Sequence, residues 1–216
     1  MARAKAKARA KAKARPTARP TNPGLLRVAR VDGQKIAPML WFDKEAEQAA
    51  RFYTSVFKGR ITEIARYPEA GSDVHGQKPG SVMTVEFTLA GQEFIALNGG
   101  PVFKHSPAIS FVINCASQRE VDHYWSKLTK GGQAVQCGWL TDRYGVSWQV
   151  TPVHLAQLMN DPDPARSNAV MGAMMKMVKL DVQALQDAYR AAAPERTRVT
   201  RRRAGAGRRR ARPGSR

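Results

Sequence analysis

The sequence has only two cysteines, Cys115 and Cys137, and they do not form a CxxC pair. We therefore expect neither a disulfide framework nor a cysteine-based zinc site, and we predict two reduced, partly buried thiols. The sequence also lacks an apolar run near the roughly 20 residues of a membrane span, and it has no apolar segment typical of a secretory signal. These absences predict a cytoplasmic protein with no membrane partner.

Acidic residues are scarce at both ends of the chain, although the formal net charge is +19. Residues 1–34 carry ten Lys or Arg and one acid, and residues 195–216 carry ten Arg and one acid. Few apolar residues accompany them, so we predict disordered basic tails at 1–34 and 195–216. Such tails are either solvated segments without a partner or nonspecific nucleic-acid contacts. The N-terminal one also resembles a transit peptide, except that it lacks serine.

Between the tails, the sequence contains an internal repeat. A predicted strand at 35–42 and a predicted amphipathic helix at 43–59 recur 72 residues later as a strand at 108–115 and a helix at 117–132. Each pair is followed by predicted strands, at 60–67, 81–91 and 92–99 in the first copy and at 133–142 and 145–152 in the second. The repeat predicts an α+β domain made of two similar halves.

Shorter segments complete this organisation. The stretch from Cys137 to Pro152 is predicted to be the terminal hairpin, with Asp142 and Arg143 in its turn. The polar, Gly-rich segment 69–80 is either a mobile flap over a cleft or an ordinary surface loop. Residues 153–194 are predicted to form a helical extension, whose second helix is capped by Asp181.

Several motifs in order resemble one known superfamily. Over about residues 35–191, the segments "LWFDKEAEQAARFYTSVF", "FIALNGGPVF", "AISFVI", "EVDHYW", "CGWLTDRYGVSWQVTP" and the C-terminal "VMGAMMKMVKLDVQALQDAY" are similar to the vicinal oxygen chelate superfamily, which includes glyoxalase and bleomycin-resistance proteins. More narrowly, they resemble its PhnB-like branch, whose family label is 3-demethylubiquinone-9 3-methyltransferase. The resemblance implies two βαβββ modules, module one at 35–100 and module two at 108–152, which form a ligand cleft. It also implies a homodimer.

Enzymes of that superfamily commonly hold a divalent metal on His and Glu side chains of the first and last strand of each module. The matching positions here are Ala37, Asn98, Ala108 and Gln149, which offer no imidazole or carboxylate. The four histidines, His75, His105, His123 and His154, share no HxH or HxxxH spacing. We therefore expect neither a metal nor another cofactor.

The family label prompts a test for a methyl-donor site. Methyl transfer usually uses a Gly-rich turn after a parallel strand in an alternating α/β sheet. Apart from the loop at 69–80, the Gly-rich elements between the tails are "LNGGP" at 97–101, between the modules, and "KGG" at 130–132, at a helix end. The sequence therefore does not favour methyl transfer.

The residues that we predict to line the cleft are neutral or aromatic. Hydrogen-bonding groups and broad apolar faces are offered by Asn98, Ser110, Ser147 and Gln149 and by Trp41 and Trp139. Alternation along the last strand places Ser147 and Gln149 on one face and Trp148 on the other, where it is predicted to be core. The alternative is that every tryptophan belongs to the core. The sequence identifies no catalytic residue.

Two functions follow from this residue set. The first is a metal-independent small-molecule binding protein of the PhnB-like type, whose ligand is apolar or aromatic. The alternative is an enzyme of the same superfamily, namely a lyase, an isomerase or a dioxygenase-like protein, or the quinone-related methyltransferase of the family label. The absence of a recognisable ligand set favours the first.

Overall fold

The computed structural model describes residues 34–192. The predicted basic tails, apart from Gln34, therefore lie outside the described residues. The chain divides into two units, Met1–Lys35 and Ile36–Arg216, and every element below belongs to the second. No helix within 34–192 is both long and apolar enough to cross a membrane. The structure contains one chain, so the homodimer stays a prediction.

Module one forms a four-stranded sheet with its main helix on one face. Its strands lie in the order β1-β4-β3-β2, with β1 parallel to β4 and the other neighbours antiparallel. The elements are β1 (Met39–Phe42), α1 (Ala46–Phe57), β2 (Arg60–Arg66), a short α2 (Ser72–His75), β3 (Val82–Leu89) and β4 (Gln92–Asn98). The strand predicted from residue 35 begins only after Pro38, which has no N–H to donate.

Module two repeats this connectivity. Its sheet has the order β5-β8-β7-β6, again with the first strand parallel to the last and the others antiparallel. The elements are β5 (Ser110–Cys115), α3 (Gln118–Leu128), β6 (Gln133–Ala134), β7 (Trp139–Thr141) and β8 (Ser147–Pro152). The predicted fold class, α+β with two βαβββ modules, is confirmed.

One hydrophobic core joins the two modules. The inward face of α1 is fully buried at Ala49, Ala50 and Tyr53, and it packs mainly on β3. Alternate residues of that strand, Val85 and Phe87 among them, point to the same core. Residues of β5, α3 and β8 belong to this cluster as well. The modules are therefore parts of a single packed body.

The prediction of one continuous strand at 133–142 is wrong, because the structure divides this segment into β6 and β7. Cys137 has φ 59° and Gly138 has φ 82°, and these left-handed conformations end the extended backbone. A Cβ at Gly138 would lie 2.8 Å from the carbonyl oxygen of Val150, so glycine is needed there. The amides of Cys137 and Gly138 donate to the carbonyls of Met177 and Val178. The break thus attaches module two to the chain beyond the domain.

Three helices follow the second sheet, α4 (Leu155–Met159), α5 (Pro164–Met174) and α6 (Val182–Ala191). The predicted cap is present, since the Asp181 side chain accepts from the amide of Ala184. These helices share a small core around Val170 and Leu185. Gln118 of α3 connects them to module two, because its Oε1 accepts from the amide of Val182 at 2.8 Å.

The segment 69–80 is not entirely a loop, because it contains α2. Its base is fixed by two backbone hydrogen bonds, from Tyr67 to the Ser81 carbonyl and from Gly80 to the Tyr67 carbonyl. A role as a flap stays a prediction.

Candidate functional site

Four of the predicted ligand residues lie on one face of the second sheet. Ser147 and Gln149 alternate with Trp148, which packs on α1 with its ring 5.2 Å from that of Phe57. Across the ladders, Ser110 is paired with Ser147 and Trp139 with Gln149. The side-chain amide of Gln149 donates to the Ser110 hydroxyl at 2.9 Å. The structure thus brings together Ser110, Trp139, Ser147 and Gln149, opposite the face covered by Trp148.

Trp148 is 2% exposed, so its predicted place in the core is correct.

Trp41 lies in the first sheet and covers the Gly-rich segment that follows β4. Its indole Nε1 donates to the carbonyl of Gly100 at 2.8 Å, and its ring meets Phe103 edge to face. A Cβ at Gly99 would collide with the indole. These glycines therefore allow a close approach of Trp41, and the backbone does not form an open cradle. The segment does not fit a methyl-donor loop.

Asn98 lies on the opposite face of the first sheet from Trp41 and is only 7% exposed. Its Oδ1 accepts from the amide of Ala46 at 2.8 Å, and its Nδ2 donates to the carbonyl of Val82 at 3.0 Å. The side chain therefore caps the start of α1 and joins β4 to the beginning of β3. Both ends of the amide have protein partners.

The residues present do not fit a divalent metal. The side chains of Ala37 and Ala108 have no donor atom, the Oδ1 of Asn98 already accepts from the amide of Ala46, and Gln149 offers only a neutral amide oxygen. Among residues 34–192, no group of three or more His, Cys, Asp or Glu side chains is placed to hold a metal ion. The four positions therefore lack the donors with which a superfamily enzyme would hold its metal.

A large cavity lies near the edges of the two sheets. β1 and β5 are edge strands of their sheets, and residues just before β1 and along β5 line this cavity of about 620 Å³. Most of its wall is apolar or aromatic, and the rings come from both modules: Phe57, Phe94, Phe111, Tyr124 and Trp148. The sequence singled out only Trp148 of these, and as a core residue. Their common cavity depends on tertiary packing that no local pattern reports.

A buried carboxylate fixes the Trp148 side of this cavity. Asp142 is 3% exposed, and its Oδ2 accepts from the Tyr53 hydroxyl and from the Trp148 indole, each at 2.8 Å. Its Oδ1 accepts from the amides of Tyr144 and Val146 at 2.8 and 3.1 Å. Asp142 therefore forms the predicted turn, and it also links α1 of module one to β8 of module two.

Burial sets the protonation of this group of side chains. Burial raises the pKa of Asp142, while the hydrogen bonds from Trp148 and Tyr53 oppose that change. Burial, and then the charge of Asp142, raise the pKa of Tyr53 well above its usual value. Tyr53 thus keeps its proton and remains the donor.

A second cavity, of about 430 Å³, adjoins the first, and Pro38 and Phe111 line both. Its polar wall includes His105, from the connection between β4 and β5, and Ser147. Burial lowers the pKa of His105, which the charge of Asp142 and the backbone of Trp41 partly oppose. The sequence placed His105 only at a strand entrance, because nothing in its spacing indicates that it lines a cavity together with Ser147, 42 positions later.

The two cysteines are free thiols, as predicted. Cys115 is buried, and burial raises its pKa to about 11, so it remains protonated at neutral pH. Cys137 is partly exposed, and its Sγ lies 3.7 Å from the Met175 sulfur. Neither thiol forms a hydrogen bond with a side chain that could act as a base and activate it as a nucleophile.

Solved structures of other proteins are similar to about half of this chain. A solved structure described as a putative 3-demethylubiquinone-9 3-methyltransferase, PhnB protein, from Bacillus cereus is 38% identical, with 55% of this chain and 99% of that chain covered and a TM-score of 0.49. Protein PA1353 from Pseudomonas aeruginosa is 19% identical, covering 54% and 95% of the two chains, with a TM-score of 0.44. The fosfomycin resistance protein FosX from Mesorhizobium loti is 15% identical, covering 55% and 90%, with a TM-score of 0.38. No curated protein matches the chain.

The family model described as 3-demethylubiquinone-9 3-methyltransferase matches residues 34–151. That range covers more than half of the chain and, apart from Pro152, contains both modules. The motifs of the two modules lie within it to the same extent, whereas the C-terminal motif at 170–189 lies outside it. The chain therefore belongs to the 3-demethylubiquinone-9 3-methyltransferase family.

Proposed function

We propose that this protein binds a small apolar or aromatic compound without the help of a metal ion. The observation that carries the proposal is the cavity of about 620 Å³ between the edge strands. This volume lies within the roughly 300–1,000 Å³ that is usual for small-molecule sites. Its aromatic walls offer flat faces on which a ring can stack.

The position of Trp148 supports a preformed site. Its indole is held by Asp142, and its ring also lies 5.3 Å from that of Phe111, another wall of the cavity. Side chains that are fixed before binding lose little conformational freedom when a ligand arrives. A rigid apolar compound is therefore the best match, since little ordering opposes its burial.

The proposal is tested by filling the cavity. Ala37 lines it, and Ala37→Phe adds a ring where the ligand would lie. Ala134→Phe is the matched control, because Ala134 is exposed in β6 and lies outside the cavity walls. Naphthalene is the probe, and its binding is measured through the quenching of tryptophan fluorescence and by calorimetry.

We expect naphthalene to bind the wild-type protein and the Ala37→Phe variant to bind it at least about tenfold more weakly. A loss of about 1.4 kcal/mol corresponds to that factor. The control should match the wild type, and melting temperatures should show that both variants fold. Equal affinity in wild type and Ala37→Phe would place the ligand elsewhere, and the absence of wild-type binding would overturn the proposal.

A further inference from the structure

The smaller cavity is lined mostly by apolar residues, but two of the polar residues that line it each have a buried polar atom without a partner. Its apolar wall is formed by β1 and β5 and the segments next to them, through Pro38, Leu40, Ile109 and Phe111. Within residues 34–192, the Nε2 of His105 and the Oγ of Ser147 are both buried and have no hydrogen-bond partner. Ser147 as a whole is 3% exposed. Both residues line this one cavity.

Unpaired buried polar atoms are unfavourable. Leaving a buried donor or acceptor unsatisfied costs about 1–3 kcal/mol, so most such atoms in native proteins have a partner. The other hydroxyl at this cavity is already engaged, because Ser106 Oγ accepts from the amide of Ala108. His105 and Ser147 thus leave a specific hydrogen-bonding capacity unused at an apolar wall.

The packing around His105 holds its ring at the junction of the modules. The ring meets Phe42 edge to face with centroids 5.3 Å apart. On another side, a Cβ at Gly145 would lie 3.9 Å from the His105 Cβ, so the turn before β8 approaches closely. The imidazole is therefore positioned by elements of both modules.

We propose that His105 and Ser147 form a subsite for a neutral hydroxyl group of the ligand. A neutral imidazole nitrogen donates or accepts according to its tautomer, and a serine hydroxyl does either according to its rotation. A ligand hydroxyl also does both, so it satisfies the pair in either arrangement. A carboxylate only accepts, and it would require Nε2 to carry a proton.

The position of the subsite defines the ligand class, and this inference rests on the proposed function. Since Pro38 and Phe111 line both cavities, a ligand whose ring occupies the larger one can present a substituent to the smaller one. The compound is then a hydroxylated aromatic molecule of the phenol type. Lys104, which also lines the smaller cavity, is exposed and is the one group here that would favour an anion.

Four probes with the same ring system separate these possibilities. They are naphthalene, 2-naphthol, 2-methoxynaphthalene, which lacks the donated proton, and 2-naphthoate, which is an anion. Dissociation constants are measured by calorimetry at pH 7 for the wild type, Ser147→Ala and His105→Phe. The controls are Ser126→Ala and His154→Phe, whose residues are exposed and belong to neither cavity wall.

For the wild type and both controls, we expect 2-naphthol to bind about tenfold or more tightly than naphthalene, because two hydrogen bonds replace two unpaired atoms. 2-Methoxynaphthalene should bind more weakly than 2-naphthol. In Ser147→Ala and His105→Phe, the ratio of the naphthalene and 2-naphthol dissociation constants should fall towards one.

The outcomes separate this inference from the proposed function. If naphthalene and 2-naphthol bind the wild type equally well, the hydroxyl subsite is wrong while the apolar site stands. A preference for 2-naphthoate overturns the neutral-hydroxyl assignment in favour of an anion site beside Lys104. If no probe binds, both the apolar site and its subsite are refuted.

Discussion

The hydrogen bond between Tyr53 and Asp142 is expected to contribute measurably to stability, because it joins the two modules inside their shared core. Tyr53→Phe removes only the hydroxyl, whose oxygen lies 2.8 Å from Asp142 Oδ2. A hydrogen bond to a charged group contributes about 1.5–3 kcal/mol. We expect the free energy of unfolding to fall by that amount in urea titrations followed by tryptophan fluorescence.

Tyr67→Phe is the matched control. Tyr67 is also buried, but its hydroxyl donates to a neutral acceptor, the carbonyl of Asn98. A neutral hydrogen bond contributes about 0.5–1.5 kcal/mol, so the control should lose less stability than Tyr53→Phe.

Removing the acceptor tests whether the effect belongs to this pair. Asp142→Ala leaves four donors without their acceptor, namely the Tyr53 hydroxyl, the Trp148 indole and the amides of Tyr144 and Val146. At about 1–3 kcal/mol for each, the loss is on the order of 4 kcal/mol or more. Asp142→Asn keeps an acceptor oxygen and serves if the alanine variant does not fold.

In the Asp142→Ala or the Asp142→Asn variant, Tyr53→Phe should lower the free energy of unfolding much less than it does in the wild type, since the hydroxyl has already lost its charged acceptor. Equal costs of Tyr53→Phe in the wild type and in the Asp142 variant, or a wild-type cost near zero, would refute the link between the modules.

Three further outcomes are expected. Burial raises the pKa of Cys115 from 9.0 to about 11, so the stability it contributes is complete below pH 9 and is lost as the pH rises through 11. The free energy of unfolding from urea titrations should fall by up to roughly 2–3 kcal/mol across that pH range in the wild type, and by less in Cys115→Ala. An equal fall in the variant would contradict this prediction. Treatment with EDTA should leave the melting temperature unchanged, since the expected ligand positions carry no imidazole or carboxylate, and a large drop would show a metal. Trp148→Ala should lower the free energy of unfolding by about 3–5 kcal/mol, because it removes a buried ring, whereas Gln149→Leu should leave naphthalene binding unchanged, because Gln149 lines neither cavity; tenfold weaker binding in Gln149→Leu would place the ligand on the opposite face of β8.

The sequence predicted what depends on local periodicity. The repeated strand and helix pattern predicted two modules, and the alternation along β8 predicted that Trp148 points away from Ser147 and Gln149 into the core. Both rest on the period of a strand or helix, which the order of residues contains directly. The family motifs added the connectivity of the sheets.

What the sequence did not predict depends on contacts between distant residues. The bond from Tyr53 to Asp142 spans 89 positions, and His105 and Ser147 line one cavity only because the fold brings the connection between β4 and β5 close to β8. The break at Cys137 depends on the chain after residue 176, whose carbonyls receive the amides there. Asn98 was assigned to the ligand by its place in the motif, yet its amide binds Ala46 and Val82.

The carboxylate shared by the two modules also bears on how the repeat folds. A chain divided in the connection between β4 and β5 would leave Tyr53 in one fragment and Asp142, with Trp148, in the other. Each half would then expose a polar group that is normally buried, as well as one side of a common core. Although the sequence looks like a duplicated unit, we therefore expect neither copy to fold alone and the whole domain to unfold in one cooperative transition.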